Sequence, residues 1–302
     1  MPYRPLLNEY LDPEILGKLP NLEIRARFLV SGFLTGLHKS PFRGASVEFK
    51  EFRDYQPGDE LKLIDWKVFA RTDNLHVKLR EEETNMSVYI ALDKSASMNY
   101  KSPGAALSKW DCARTVAAAL LLFLHRQRDA ASISFIGKTL EDFHRASTKK
   151  SNFNTMMAAL HNPPDDSESN IADSLEILAG LAKRRSIVVA ISDFYDDTEK
   201  LENAIGKFRH LDCEVILAQV LDPRELSFDF NENVLLRELE TEDEMIVSPE
   251  LVKEEYREMM EDHIKAVKTL AARRDGDYIL VKTNEVPLKT LGAYLNARRA
   301  KR

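Results

Sequence analysis

Ser87-Val-Tyr-Ile-Ala-Leu-Asp-Lys-Ser-Ala-Ser-Met98 is the stretch whose reading decides the fold. An apolar run of strand formers over 88–92 stops at Asp93, and hydroxyls follow at alternate positions, Ser95 and Ser97. An unbroken run of this kind reads as a parallel strand buried on both faces, and in open α/β sheets ligands sit beyond the carboxyl ends of the strands. The polar cluster is therefore expected at a binding rim. One carboxylate and two hydroxyls on a tight loop form an all-oxygen set suited to a hard cation such as Mg²⁺, which takes near-octahedral oxygen ligands and retains waters. Three oxygens do not hold such an ion, so partners are expected at neighbouring strand ends. Ser169-Asn170 closes the polar loop 163–170 ahead of a helical pattern, and Asp193 follows the second strongly apolar strand, 186–192. The competing structural reading is a helix N-cap, worth about 1 kcal/mol. One of these groups could serve as a cap; three at alternate positions exceed that need.

Outward from this stretch, strands alternate with helices. Residues 110–127 form an Ala- and Leu-rich helical pattern, 131–136 a strand, and 139–144 an antiparallel edge strand after the Gly137-Lys138 turn. Helical patterns at 151–161, 170–183 and 198–211 and a strand at 214–221 continue the series. Strands spaced by crossover helices imply an α/β fold, a doubly wound and mostly parallel sheet of Rossmann type with helices on both faces. Upstream, residues 1–40 read as two short helices divided by Pro20-Asn21. Residues 44–80 read as a small α+β appendage: an extended segment over 47–52, a turn at Gln56-Pro57-Gly58-Asp59, a helix over 61–70 and a strand over 75–80. The regularity breaks at 223–248, where 226–230, 234–239 and 245–248 read as short strands expected to join the appendage. A long helix from Ser248-Pro249 to Arg274, a strand at 277–282 and a helix at 287–299 finish the chain. The expected division is 1–84 for the N-terminal helices and appendage, 85–222 for the main domain, 223–248 for the inserted strands, and 249–302 for the last helix-strand-helix of the main domain.

Composition bounds the function. With 302 residues, 44% of them hydrophobic, the chain can bury a full core. A net charge of −6 argues against a general nucleic-acid surface. Cys112 and Cys213 lie far apart and outside any C-x-x-C pair, which fits a reducing cytoplasm. The longest apolar stretch, 116–124, falls short of the roughly 18 residues of a membrane span, and the N-terminus lacks a signal-peptide core.

Asp93-x-Ser95-x-Ser97 with a later hydroxyl and a later strand-end Asp resembles the metal-ion-dependent adhesion site of von Willebrand factor A domains. The resemblance implies Mg²⁺ or Mn²⁺ held by Asp93, Ser95, Ser97 and Asp193, with Ser169 at the family's Thr position or Asn170 in its place. It also implies a protein partner whose acidic side chain completes the coordination. Ahead of this domain stand Glu48-Phe49, Arg53-Asp-Tyr55, Pro57-Gly58-Asp59, Ile64-Asp65-Trp66-Lys67 and Ala70-Arg71-Thr72. This ordered series is similar to the signature of the domain of unknown function 58 family, whose members place it before a von Willebrand A domain. MoxR-type AAA+ ATPases, frequent genomic companions of that family, are the partners the resemblance implies.

Other signals point elsewhere with less force. Gly137-Lys138-Thr139 lacks the first glycine of a P-loop, since Ser132 stands there, and reads as a hairpin turn. His125, His144, His161, His210 and His263 show no zinc spacing. Trp66 and Tyr55 are candidate partner anchors, weighed against packing between subdomains. A phosphatase-like hydrolase of the haloacid dehalogenase type would need a carboxylic acid where Ser95 stands. The reading favoured here is a non-enzymatic interaction module, against such a hydrolase or a scaffold in which the metal site is unused.

Overall fold

The computed structural model describes residues 13–19, 21–39, 52–54, 76–78, 86–164, 168–230, 234–237, 244–287 and 292. In chain order the elements are α1 (Pro13–Lys18), α2 (Leu22–Lys39), β1 (Phe52–Asp54), β2 (His76–Lys78), β3 (Ser87–Asp93), α3 (Lys109–Gln127), β4 (Ala130–Ile136), β5 (Leu140–Ser147) and α4 (Lys150–Ala159). Then come α5 (Ile171–Leu181), β6 (Ile187–Ser192), α6 (Thr198–His210), β7 (Glu214–Leu221), α7 (Pro223–Ser227), β8 (Val234–Arg237), β9 (Glu244–Val247), α8 (Pro249–Arg273) and β10 (Asp277–Lys282).

Six of the strands form one sheet in the order β10-β7-β6-β3-β4-β5. All neighbours run parallel except the edge strand β5, which folds back on β4 across the Gly137–Thr139 turn. This is the doubly wound, von Willebrand A-type arrangement expected from the strand and helix pattern. β3 is central and buried at every position, as its continuous apolar run required. Side-chain alternation divides the core in two. Val88, Ile90 and Leu92 face one layer with α1 to α4, while Tyr89 and Ala91 face a second with α5, α6 and α8.

The first layer explains why α3 is apolar on nearly all sides: the sheet covers one face and α2 another. Phe33 of α2 meets Phe123 of α3 edge to face with centroids 5.9 Å apart, and Arg25 lies 3.8 Å from Asp111. The two N-terminal helices, expected with the appendage, thus pack on the sheet, and the chain divides into residues 35–85 as one unit and the remainder as another. In the smaller unit β1 pairs antiparallel with β2. In the larger unit β8 pairs antiparallel with β9. The expected joining of 223–248 to the appendage is not among the described ladders, in which each ribbon pairs within itself.

One expected strand is a helix. Residues 226–230 alternate like a strand, but Asp222 and Glu225 close a capping box, and Pro223 sits in the first turn, so the backbone coils into α7. Phe228 ends it in the left-handed region at φ 50 and buries its ring against Phe230 and Tyr256. The expected helices at 61–70 and 287–299 lie outside the described residues, as do Tyr55 and Trp66.

Leu120 is fully buried at the centre of the α3 layer. Leu120→Ala is expected to lower unfolding free energy by about 2–5 kcal/mol in urea titration. A loss well under about 1 kcal/mol would mean that α3 is not packed against the sheet as described.

Candidate metal centre at the carboxyl ends of β3 and β6

β3 and β6 are adjacent and parallel, and the chain leaves β3 for β4 on the opposite side. The sheet therefore reverses its winding between β3 and β6, and a crevice opens at their carboxyl ends. Asp93 ends β3 and Asp193 follows β6, at 0% and 1% exposure.

The loop after β3 is folded by its own first residue. Asp93 Oδ1 accepts from the Ser95 amide at 2.9 Å, an Asx turn that bends the chain. A 3-10 turn over Ala96–Asn99 follows, pinned by the fully buried Met98. The two hydroxyls consequently lie side by side, Ser95 Oγ 3.0 Å from Ser97 Oγ. Ser97 Oγ then donates to Asp193 Oδ2 at 2.7 Å, joining positions 96 residues apart. On the other side Ser192 Oγ donates to Asp93 Oδ2 at 2.6 Å. Asp93, Ser95, Ser97 and Asp193 therefore belong to a single hydrogen-bonded cluster.

Ser169 does not. It is half-buried, and among the described residues no hydrogen bond ties it to the other four. Its neighbour Asn170 caps α5, with Oδ1 accepting from the Asp173 amide at 3.0 Å. The Asn170 amide donates to Gly137 O at 2.9 Å, so this loop lies by the end of β4, one strand beyond β3.

The loop after β6 is held in a strained shape. Phe194 adopts φ 59, in the left-handed region where a bulky side chain is unfavourable. Its amide donates to Ser192 Oγ at 2.9 Å, and its ring is buried. The Asp193 carbonyl accepts from Gln219 Nε2 at 2.9 Å and from His263 Nε2 at 3.1 Å, which puts the imidazole proton on Nε2. Tyr195 stacks on His263 with centroids 4.8 Å apart. These contacts from β7 and α8 fix the direction of the Asp193 side chain.

A cation of the protein's own enters the cluster. Lys109, the first residue of α3, donates from Nζ to Asp193 Oδ2 at 2.8 Å and to Glu225 Oε1 at 2.7 Å, with its side chain 1% exposed. Burial by itself would pull the ammonium's pKa down, but the Asp193 and Glu225 carboxylates outweigh it and hold Lys109 above its ordinary value. Burial pushes the Glu225 carboxyl up, against the pull of Lys109. Asp93 is pushed up to about 7, first by burial and then by the charge of Asp193, although the Ser192 and Ser95 hydrogen bonds favour its charged form.

The donor set fits a hard cation in its chemistry. Asp93, Asp193 and Glu225 set against Lys109 leave two formal negative charges in a buried region, and a divalent ion would balance them. Among the described residues no three His, Cys, Asp or Glu side chains converge on one point. An ion here would rely on the two Asp carboxylates and on serine hydroxyls. Ser192, Lys109 and Glu225 were not singled out in the sequence. Ser192 adjoins Asp193, and a lysine in a helix's first turn opposes the helix dipole, a hint that a specific acid receives it.

The family described as "Protein of unknown function DUF58" matches residues 51–266. The uncharacterized protein Rv1480 of Mycobacterium tuberculosis is 28% identical over 235 residues, 76% of this chain and 72% of that protein. An aerotolerance-related membrane protein from Bacteroides fragilis, carrying multiple mutations to serines, superposes with a TM-score of 0.51 at 14% identity, covering 71% of this chain and 99% of that one. That likeness concerns the fold. BatB from Bacteroides thetaiotaomicron gives 0.49 at 13% identity over 71% and 99%, and the SpRpn10 VWA domain 0.43 at 10% over 68% and 93%.

In chelator, the folded protein holds the Asp93 proton more tightly than the unfolded chain does, whose carboxyl titrates near its ordinary value of 3.8. The stability so contributed is present below that value and lost as pH rises through about 7. Thermal unfolding from pH 4 to pH 7, compared with Asp93→Asn, is expected to show this decline in the parent and its removal in the variant. Parallel profiles would contradict the assignment.

Proposed function

The chain belongs to the DUF58 family of proteins of unknown function, and we propose that it is a non-enzymatic protein-interaction module whose metal centre docks an acidic side chain of a partner. Asp93, Ser95, Ser97 and Asp193, with Ser169 from the loop before α5, would hold Mg²⁺ or Mn²⁺. The bound cation supplies positive charge at the rim of the sheet, where it attracts a partner's carboxylate in a partly desolvated crevice.

The observation that carries this reading is the 2.7 Å hydrogen bond from Ser97 to Asp193. It brings the oxygens of two distant loops together where strand winding reverses, beside more negative than positive charge. The chain's residues do the positioning. Asp93 bends its loop so that both serines share one side, and Gln219 and His263 hold the backbone of Asp193. Affinity would come mainly from the surrounding protein surface, the acidic contact adding direction. A MoxR-type AAA+ ATPase is the proposed partner, on the strength of the family resemblance, and the cytoplasm the proposed location. Two free cysteines, Cys112 and Cys213, accord with a reducing compartment. Among the described residues no helix is long and apolar enough to cross a membrane.

A purely structural reading, in which the cluster only ties β3 to β6, draws support from Lys109, whose ammonium already neutralises Asp193. Pull-downs with purified wild-type bait, in Mg²⁺ and in chelator, separate the two. Metal-bridged docking predicts capture that chelator abolishes and that Asp93→Ala loses while its circular dichroism spectrum stays that of the parent. Capture unchanged by chelator and by Asp93→Ala, but lost in Trp66→Ala, would shift the contact to the appendage.

A further inference from the structure

Building on the metal-bridged reading, we infer that Lys109 sets the strength of the centre: its ammonium competes with the divalent cation for Asp193, so that the ion is held weakly until a partner's carboxylate joins it. Lys109 Nζ and Ser97 Oγ both donate to the same atom, Asp193 Oδ2, at 2.8 and 2.7 Å. A carboxylate oxygen has two lone pairs, and both are thereby engaged. The other oxygen, Oδ1, receives only a long 3.4 Å contact from the Tyr195 amide. A cation drawing on Asp193 must use Oδ1 or displace a donor, and it does so beside a fixed like charge.

Nothing in α3 itself favours this lysine. It stands at the positive end of the helix dipole, with its side chain removed from water. Its placement is matched only by the acids that receive it. Glu225 reaches it from α7, whose capping box fixes that carboxylate through the Asp222 amide at 2.7 Å. Tyr195 lies against it with its ring centroid 5.4 Å from Nζ. Divalent-ion affinity rises with the negative charge of the ligand set, so an internal ammonium lowers it. An incoming acidic residue restores the missing charge, and ion and partner then strengthen one another's binding.

Mn²⁺ titration of the purified full chain, followed by electron paramagnetic resonance, tests this on wild type, Lys109→Met, Lys109→Arg, the double variant Lys109→Met with Glu225→Gln, and Asp93→Ala. Lys109→Met is expected to bind Mn²⁺ about tenfold more tightly than wild type, and Lys109→Arg, which keeps the charge, to stay near it. The double variant has the formal charge of the parent but leaves Asp193 free, so it too is expected to bind more tightly. It also carries no unpaired glutamate, and supplies the comparison if Lys109→Met does not fold. In thermal unfolding, saturating Mn²⁺ is expected to raise the Tm of the lysine-to-methionine proteins more than that of wild type. Methionine variants binding at wild-type strength or weaker overturn the inference, while loss of Mn²⁺ in Asp93→Ala would leave the metal-bridged reading standing. No Mn²⁺ bound by wild type or any variant overturns both.

Discussion

Two carboxylates placed out of water at the ends of adjacent strands are the constraint from which the rim of this sheet follows. Asp93 and Asp193 stand at 0% and 1% exposure, and buried like charges persist only where donors and counter-charges surround them. The protein supplies these from several directions: the Ser95 amide and Ser192 hydroxyl on Asp93, and the Ser97 hydroxyl and Lys109 ammonium on Asp193. Each donor belongs to a different part of the backbone. The same contacts that satisfy the charges therefore tie the loop after β3, the end of β6 and the start of α3 together.

The satisfaction is incomplete, and that incompleteness bears on function. Lys109 is shared between Asp193 and Glu225, so the ammonium does not balance all the acids around it. Burial holds the Asp93 carboxyl up to about 7, a sign that the metal-free cluster resists its full negative charge. A strained Phe194 backbone beside Asp193 is a further cost at the same place. Strain and excess charge collect where a protein does its work, and this crevice has both, within a sheet whose other strand positions are packed with apolar side chains.

Much of the architecture could be read in advance. Five of the six main strands are short apolar runs or end in one, and the helices between them carry period and caps. Where two signals competed the reading went astray. Residues 226–230 alternate like a strand, yet the box formed by Asp222 and Glu225 governs the backbone, because its local hydrogen bonds are made before any sheet partner is available. The helices of residues 13–39 were assigned to the appendage by proximity in sequence, whereas the apolar stripe of α2 is spent on α3. At the centre, Asp93, Ser95 and Ser97 announce themselves by spacing, and Asp193 by following a strand. Ser169 shares the hydroxyl chemistry but is not drawn into the hydrogen-bonded cluster.

By itself the sequence determined that a central buried strand ends in an acid and two serines, because the alternation of polar with apolar residues is a local property of neighbouring side chains. It also determined the family, through a long ordered signature ahead of that strand. Only the tertiary structure decided which distant groups meet there. Lys109, Glu225, Gln219 and His263 are each ordinary in their own segments, and they acquire meaning because parallel strands bring the ends of separate crossovers to one rim. Charge compensation in a buried crevice is a property of that convergence, and no single stretch of chain contains it.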